Sequence, residues 1–207
     1  YKIYTSKNIR DEGYRVAMIS DLHYGTVMNS EKLKKACEKI EKSNPDIVVL
    51  CGDIVDEKTS LEQMEEATEI LGSIKSKFGI FYVYGNHDDA RYSSIPSYTK
   101  DELKNELLSN NIHVLVDQSY EIDNDFIIIG RDDEGFSKEE RRKSSEDLIA
   151  NIDKNKFILL LDHQPSELDE NSVLGYDLQL SGHTHKGQIW PIGLISELFD
   201  FNELEYG

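Results

Sequence analysis

Five short segments concentrate the side chains able to do chemistry: Asp21-Leu22-His23, Gly52-Asp53, Gly85-Asn86-His87-Asp88, Asp162-His163 and Gly182-His183-Thr184-His185. Of the six histidines, only His113 lies outside them. A single histidine is ordinarily a hydrogen-bonded or surface imidazole. Five beside carboxylates form a donor set for metal ions, and imidazole, carboxylate and amide oxygen without thiolate suit Mn, Fe or Zn. The D-x-H and H-x-H spacings put two donors on the same side of an extended segment, because side chains alternate along a strand. Gly52, Gly85 and Gly182 each precede a candidate ligand, where the missing Cβ lets the chain turn sharply and leaves room beside an ion.

Such remote segments need a frame that brings them together. Apolar runs at residues 15–20, 46–51, 80–84, 157–161 and 177–181 read as strands, and each is followed directly by one of the five motifs. Helices are expected over residues 29–43, 60–77 and 99–109, the second opened by a Thr59/Glu62 capping box and the third by Thr99/Glu102. A further helix, capped by Ser137/Glu140, is expected over residues 137–152. Residues 112–130 change character: strands at 120–123 and 126–130 flank Asn124-Asp125, which suits a two-residue hairpin turn, so antiparallel strands are expected there. The alternation predicts a layered α/β or α+β domain with helices covering mixed sheet. Open α/β sheets bind ligands at the carboxyl ends of their strands, so one rim can gather all five motifs.

The balance of 40 acidic against 23 basic residues gives a formal charge of −17, and no basic cluster is long enough to follow a nucleic-acid backbone. Nucleic acid is therefore not an expected partner. Phosphate chemistry is still open to an acidic protein, because bound cations reverse the sign of the field locally. Cys37 and Cys51 fall in a helical pattern and an apolar run, and read as packing residues. No stretch has the apolar length of a membrane span, and no basic-then-apolar leader opens the chain at Tyr1. The 207 residues read as one domain, 1–207, lacking any N-terminal anchor or signal.

Taken in order, D-L-H, G-D, G-N-H-D, D-H and S-G-H-T-H resemble the signature of the calcineurin-like metallophosphoesterases, over roughly residues 16–188. The resemblance implies mixed β-sheets packed as a sandwich flanked by helices, and a dinuclear metal-dependent phosphoester hydrolase, either a phosphodiesterase or a phosphomonoesterase. It implies that Asp21, His23, Asp53 and His185 hold one metal ion, that Asp53, Asn86, His163 and His183 hold the other, that Asp53 bridges them, and that the pair is divalent or of mixed valence. The nucleophile would be a hydroxide that the two cations draw from solvent. His87 is left over, and the family uses this residue beside the scissile bond as an acid for the leaving oxygen or a stabiliser of phosphoryl charge. Asp88 is expected to orient its imidazole. The residues alone also leave His87 open as a further ligand. A catalytically silent binding or scaffold protein on the same fold is the alternative, and erosion of the motifs would mark it. No expected ligand is missing.

Substrate choice falls to the loops around the rim, where Arg91 and Arg131 are candidate phosphate contacts. Trp190 and the apolar run through Phe201 either line an acceptor for a lipid tail or belong to the core. The string S-G-H-T-H-K-G-Q-I-W-P is similar to a bacterial subgroup of membrane-associated phosphodiesterases akin to the UDP-diacylglucosamine pyrophosphatases. That similarity implies a phosphorylated small molecule or a lipid-linked phosphate as substrate, in a bacterial protein that is cytoplasmic or membrane-associated through segments outside this chain. Two departures stand out. Family domains continue beyond the last motif with further strands, so the chain reads as truncated at its C-terminal end. The fourth motif has Asp162 where glycine or asparagine is commoner, and Asp162 is read as structural.

Overall fold

A computed structural model describes residues 1–135 and 142–184. The first half of the chain builds a parallel sheet in the order β1 (Val16–Ile19), β2 (Ile47–Cys51), β3 (Ile80–Val83) and β4 (Ile112–Val114). Helices α1 (Ser30–Lys42), α2 (Leu61–Gly72) and α3 (Lys100–Ser109) make its crossovers. The second half builds a mixed sheet in the order β5 (Gln118–Asp123), β6 (Phe126–Gly130), β7 (Phe157–Leu161) and β8 (Leu178–Leu180). Here the β5–β6 hairpin is antiparallel and the other pairs are parallel. Short helices α4 (Ser145–Ile149) and α5 (Leu168–Leu174) lie between β6, β7 and β8 in the chain.

The unbroken apolar runs have a simple cause: the central strands are buried on both faces. Along β2, Val48 and Leu50 pack with Leu33, Met64, Leu71 and Leu103 of the helices. Their neighbours Ile47, Val49 and Cys51 face the other way, against Phe126, Ile128, Leu159 and Leu161 of the second sheet. In β6 and β7 the alternate residues Ile127, Ile129, Ile158 and Leu160 meet Leu148, Ile149 and Tyr176 on the outer side. The result is four layers, helix, sheet, sheet, helix, as the layered sandwich expectation required. Each buried aliphatic side chain contributes about 1.5–3 kcal/mol of transfer free energy, which places most of the stabilisation in these three interlayers.

Several local expectations are corrected. The second helix ends at Gly72 rather than residue 77, and its capping box is Ser60/Gln63, not Thr59/Glu62. The Thr59 hydroxyl instead donates to the Tyr24 carbonyl at 2.7 Å and accepts from the Asp56 amide at 2.9 Å. The Thr99/Glu102 box is present as expected. The antiparallel hairpin expected around Asn124-Asp125 is present as β5–β6. The charged helix begins at Ser145 with Ser144 as its cap, while the expected Ser137/Glu140 cap lies outside the described residues. Helix α5 was not anticipated; it opens without a side-chain cap after Glu167 in left-handed backbone.

Candidate metal centre

The loops that leave β1, β2 and β8 are bent into an unusual conformation at the residues of interest. Asp21, His23, Asp53 and His183 have φ of 54°, 43°, 53° and 71°. Left-handed backbone costs a non-glycine residue on the order of 1–3 kcal/mol and persists where the surroundings impose it. Here they do. The Asp21 amide donates to the Gly52 carbonyl and that of His23 to the Asp53 carbonyl, both at 3.1 Å. The His183 amide donates to Asp21 Oδ1 and the His87 amide to Asp53 Oδ1, both at 2.9 Å. Close approach of these loops explains two of the glycines. A Cβ on Gly52 would stand 2.5 Å from His163 Nδ1, and one on Gly85 would stand 2.5 Å from the Asp53 amide nitrogen.

Two groups of donors result, Asp21/His23/Asp53 and Asp53/His163/His183, in each of which the ligand atoms lie within 4.8 Å of one another. Asp53 is common to both. Its Oδ2 is buried without a hydrogen bond, although His163 Nε2 lies 3.1 Å away. His163 Nδ1 sits 2.8 Å from the Cys51 carbonyl, which fixes the proton on Nδ1 and turns the Nε2 lone pair inward. That nitrogen lies 3.2 Å from Asn86 Oδ1 and 3.3 Å from His183 Nδ1. Asp53 Oδ2, Asn86 Oδ1 and the ring nitrogens of His163 and His183 all carry lone pairs able to ligate, and they converge on one point, so the donor set fits divalent metal.

Among the protein groups alone, the Asp53 carboxylate draws positive charge onto His163. Burial pushes His163 down, but the adjacent Asp53 carboxylate outweighs it and raises it to about 9. Asp53 is correspondingly low; burial opposes this and His163 prevails. His183 is lowered by burial and by His163. His23 is raised against burial by Asp56 and Asp53, its Nδ1 lying 3.3 Å from Asp56 Oδ2.

Asp88 does not touch the His87 ring as expected. Fully buried, its Oδ2 accepts the Asp53 and Gly85 amides at 2.8 and 2.7 Å, and its Oδ1 those of Ile54 and Val55 at 2.8 and 3.1 Å. Burial and the Asp53 charge raise it to about 6. It shapes the β2 and β3 loops, and His87 Nδ1 meets Glu57 Oε2 instead, at 2.9 Å. Arg131 is likewise internal: 3% exposed, it bonds Glu167 at 2.8 Å and Asp162 at 3.3 Å. Asp162 also receives Arg142 at 2.7 Å, so it ties loops together. Arg91 is clamped between Asp89 and Asp133, each at 2.7 Å. His185, and the apolar run after it, lie outside the described residues.

Sequence reasoning missed Asp56, Glu57 and Tyr92. The first two stand three and four residues beyond Asp53 in G-D-I-V-D-E, a visible acidic pair, but nothing in spacing says which imidazole each would meet. Tyr92 carried no signal beyond its nearness to the third motif.

Two face-to-face sheets whose strand ends hold Asp, Asn and His donors around a shared carboxylate define a metallophosphoesterase-type protein. A model of the calcineurin-like phosphoesterase domain matches residues 14–187, and the chain belongs to that family. It is 29% identical over 195 residues to an uncharacterized metallophosphoesterase of Aquifex aeolicus, covering 93% of this chain and 71% of that protein. A second, from Campylobacter jejuni, is 31% identical over 201 residues, covering 91% of this chain and 50% of the relative. The chain thus spans about half the length of some relatives. A crystal structure of a Thermus thermophilus protein superposes with a TM-score of 0.59 at 15% identity, covering 82% of this chain and 81% of that one. That likeness is one of fold. Among the described residues no helix is long and apolar enough to cross a membrane.

Proposed function

We propose that this chain hydrolyses phosphoesters at a dinuclear centre. The observation that carries the reading is Asp53, a buried carboxylate shared by two donor groups, whose Oδ2 has no hydrogen bond. Asp21, His23 and Asp53 would hold one ion, with His185 added by the family resemblance, and Asp53, Asn86, His163 and His183 the other. When bound, such ions supply the Lewis acidity that activates water and neutralises phosphoryl charge, with Mn, Fe and Zn all compatible with these donors.

The remaining work falls to His87. Its ring stands edge-on to His23 with centroids 5.1 Å apart, and is partly open to solvent. With Nδ1 donating to Glu57, the imidazolium form of His87 passes its Nε2 proton to the leaving alkoxide oxygen and is left neutral, a transfer that contributes about 10²–10⁴-fold when well placed. The substrate class we favour is a phosphorylated small molecule or a lipid-linked phosphate, since the −17 charge disfavours long polyanions.

Hydrolysis of bis(p-nitrophenyl) phosphate and p-nitrophenyl phosphate with Mn²⁺ tests the reading. Asp53→Ala should abolish turnover and His87→Ala should lower kcat by about 10²-fold or more. Equal rates in wild type and both variants would overturn it.

A further inference from the structure

We propose that Tyr92 is a positioning residue that holds the Asn86 amide with its oxygen turned into the metal centre; the inference rests on the dinuclear reading above. An asparagine presents an oxygen and an NH₂ group of nearly equal shape, and a cation accepts the first and is repelled by the second. Asn86 Oδ1 is turned toward His183 Nδ1 at 2.9 Å and His163 Nε2 at 3.2 Å. Its Nδ2 points the other way and donates to the Tyr92 hydroxyl at 3.0 Å. The phenol oxygen thus receives the amide hydrogen on the side away from the ligand cluster, and fixes the plane of a neutral ligand that no charge of its own would orient.

The backbone makes a detour to achieve this. Ala90, buried, has φ of 52°, an uncommon conformation for alanine. Its amide donates to the His87 carbonyl at 3.0 Å, and the Ser93 amide donates to the Ala90 carbonyl at 2.9 Å, so the loop doubles back. Arg91, between Asp89 and Asp133, anchors the turn and gives that arginine a role other than a phosphate contact. Residue 92 returns beside the start of its own loop, its ring 4.8 Å from that of His87. Tyr92 itself is 47% exposed.

Calorimetric titration with MnCl₂ of wild type, Tyr92→Phe, Asn86→Asp and the double variant tests the assignment. Loss of an outer partner of a metal ligand weakens binding by about 10–100-fold, so Tyr92→Phe should weaken one of the two ions by roughly ten-fold and leave the other and the metal-free melting temperature unchanged. In the Asn86→Asp background both side-chain oxygens can ligate, so Tyr92→Phe should not weaken binding there. Wild-type affinity in Tyr92→Phe, or equal weakening in both backgrounds, would overturn the role while leaving the dinuclear centre intact. Fewer than two ions bound by wild type would overturn the dinuclear reading, and this role with it.

Discussion

Asp88 shows what a residue's neighbours in sequence fail to reveal. Its place directly after His87 suggested that it orients the ring, yet its carboxylate gathers four backbone amides from the β2 and β3 loops. The candidate ligands were legible because chemistry restricts which side chains can serve, and because each follows an apolar run. Their partners were not, since a carboxylate such as Glu57 reaches His87 through the fold and not through spacing. A substitution separates the roles. Asp88→Asn keeps one acceptor oxygen and introduces an NH₂ among the amide donors, so it should lower stability by about 2–3 kcal/mol or more in urea unfolding, with or without metal. A residue serving only to orient His87 would leave the unfolding midpoint unchanged.

Elements were read well where burial is two-sided and less well at their ends. The runs at β2, β6 and β7 announced themselves because both faces are covered, and the hairpin turn at Asn124-Asp125 because its residue types suit one. The start of α2 was displaced by one residue because Thr59/Glu62 and Ser60/Gln63 fit the same capping pattern, and only the tertiary contact of Thr59 with Tyr24 separates them. Ser60→Ala should therefore cost about 1 kcal/mol, as a lost cap does. Thr59→Ala should cost at least as much, by stranding the buried Asp56 amide. Thermal unfolding of the two variants decides the order. Just before β2, Asp46 accepts the Arg15 amide at 2.8 Å and pairs with Arg10 at 2.5 Å. Burial works against its ionisation, but Arg10 and the Arg15 amide hold it below the usual carboxylate range. A depressed folded value means stabilisation that is present above the unfolded value near pH 3.9 and lost as pH falls through the folded one. The stability gap between wild type and Asp46→Asn should thus be constant near neutrality and close below about pH 4.

At the scale of the molecule, the donors come from both halves of the sandwich. Asp21, Asp53 and Asn86 follow strands of the first sheet, while His163 and His183 follow β7 and β8 of the second. Ions bound there should raise unfolding stability by mass action, about 2.7 kcal/mol per site at a hundred-fold excess over Kd. Calorimetric melting with and without Mn²⁺ should show the shift in wild type and its loss in Asp53→Ala. The layers on either side of Val49 and Leu159 meet mostly through aliphatic and aromatic side chains, with the His163 ring against the Cys51 carbonyl at the strand ends. An ion held by Asp53 and His163 would act as a removable cross-link between the two sheets at their strand ends, and stripping it should loosen those ends. The amide protons of β2 and β7 would then record metal loading in their exchange rates, far from any substrate.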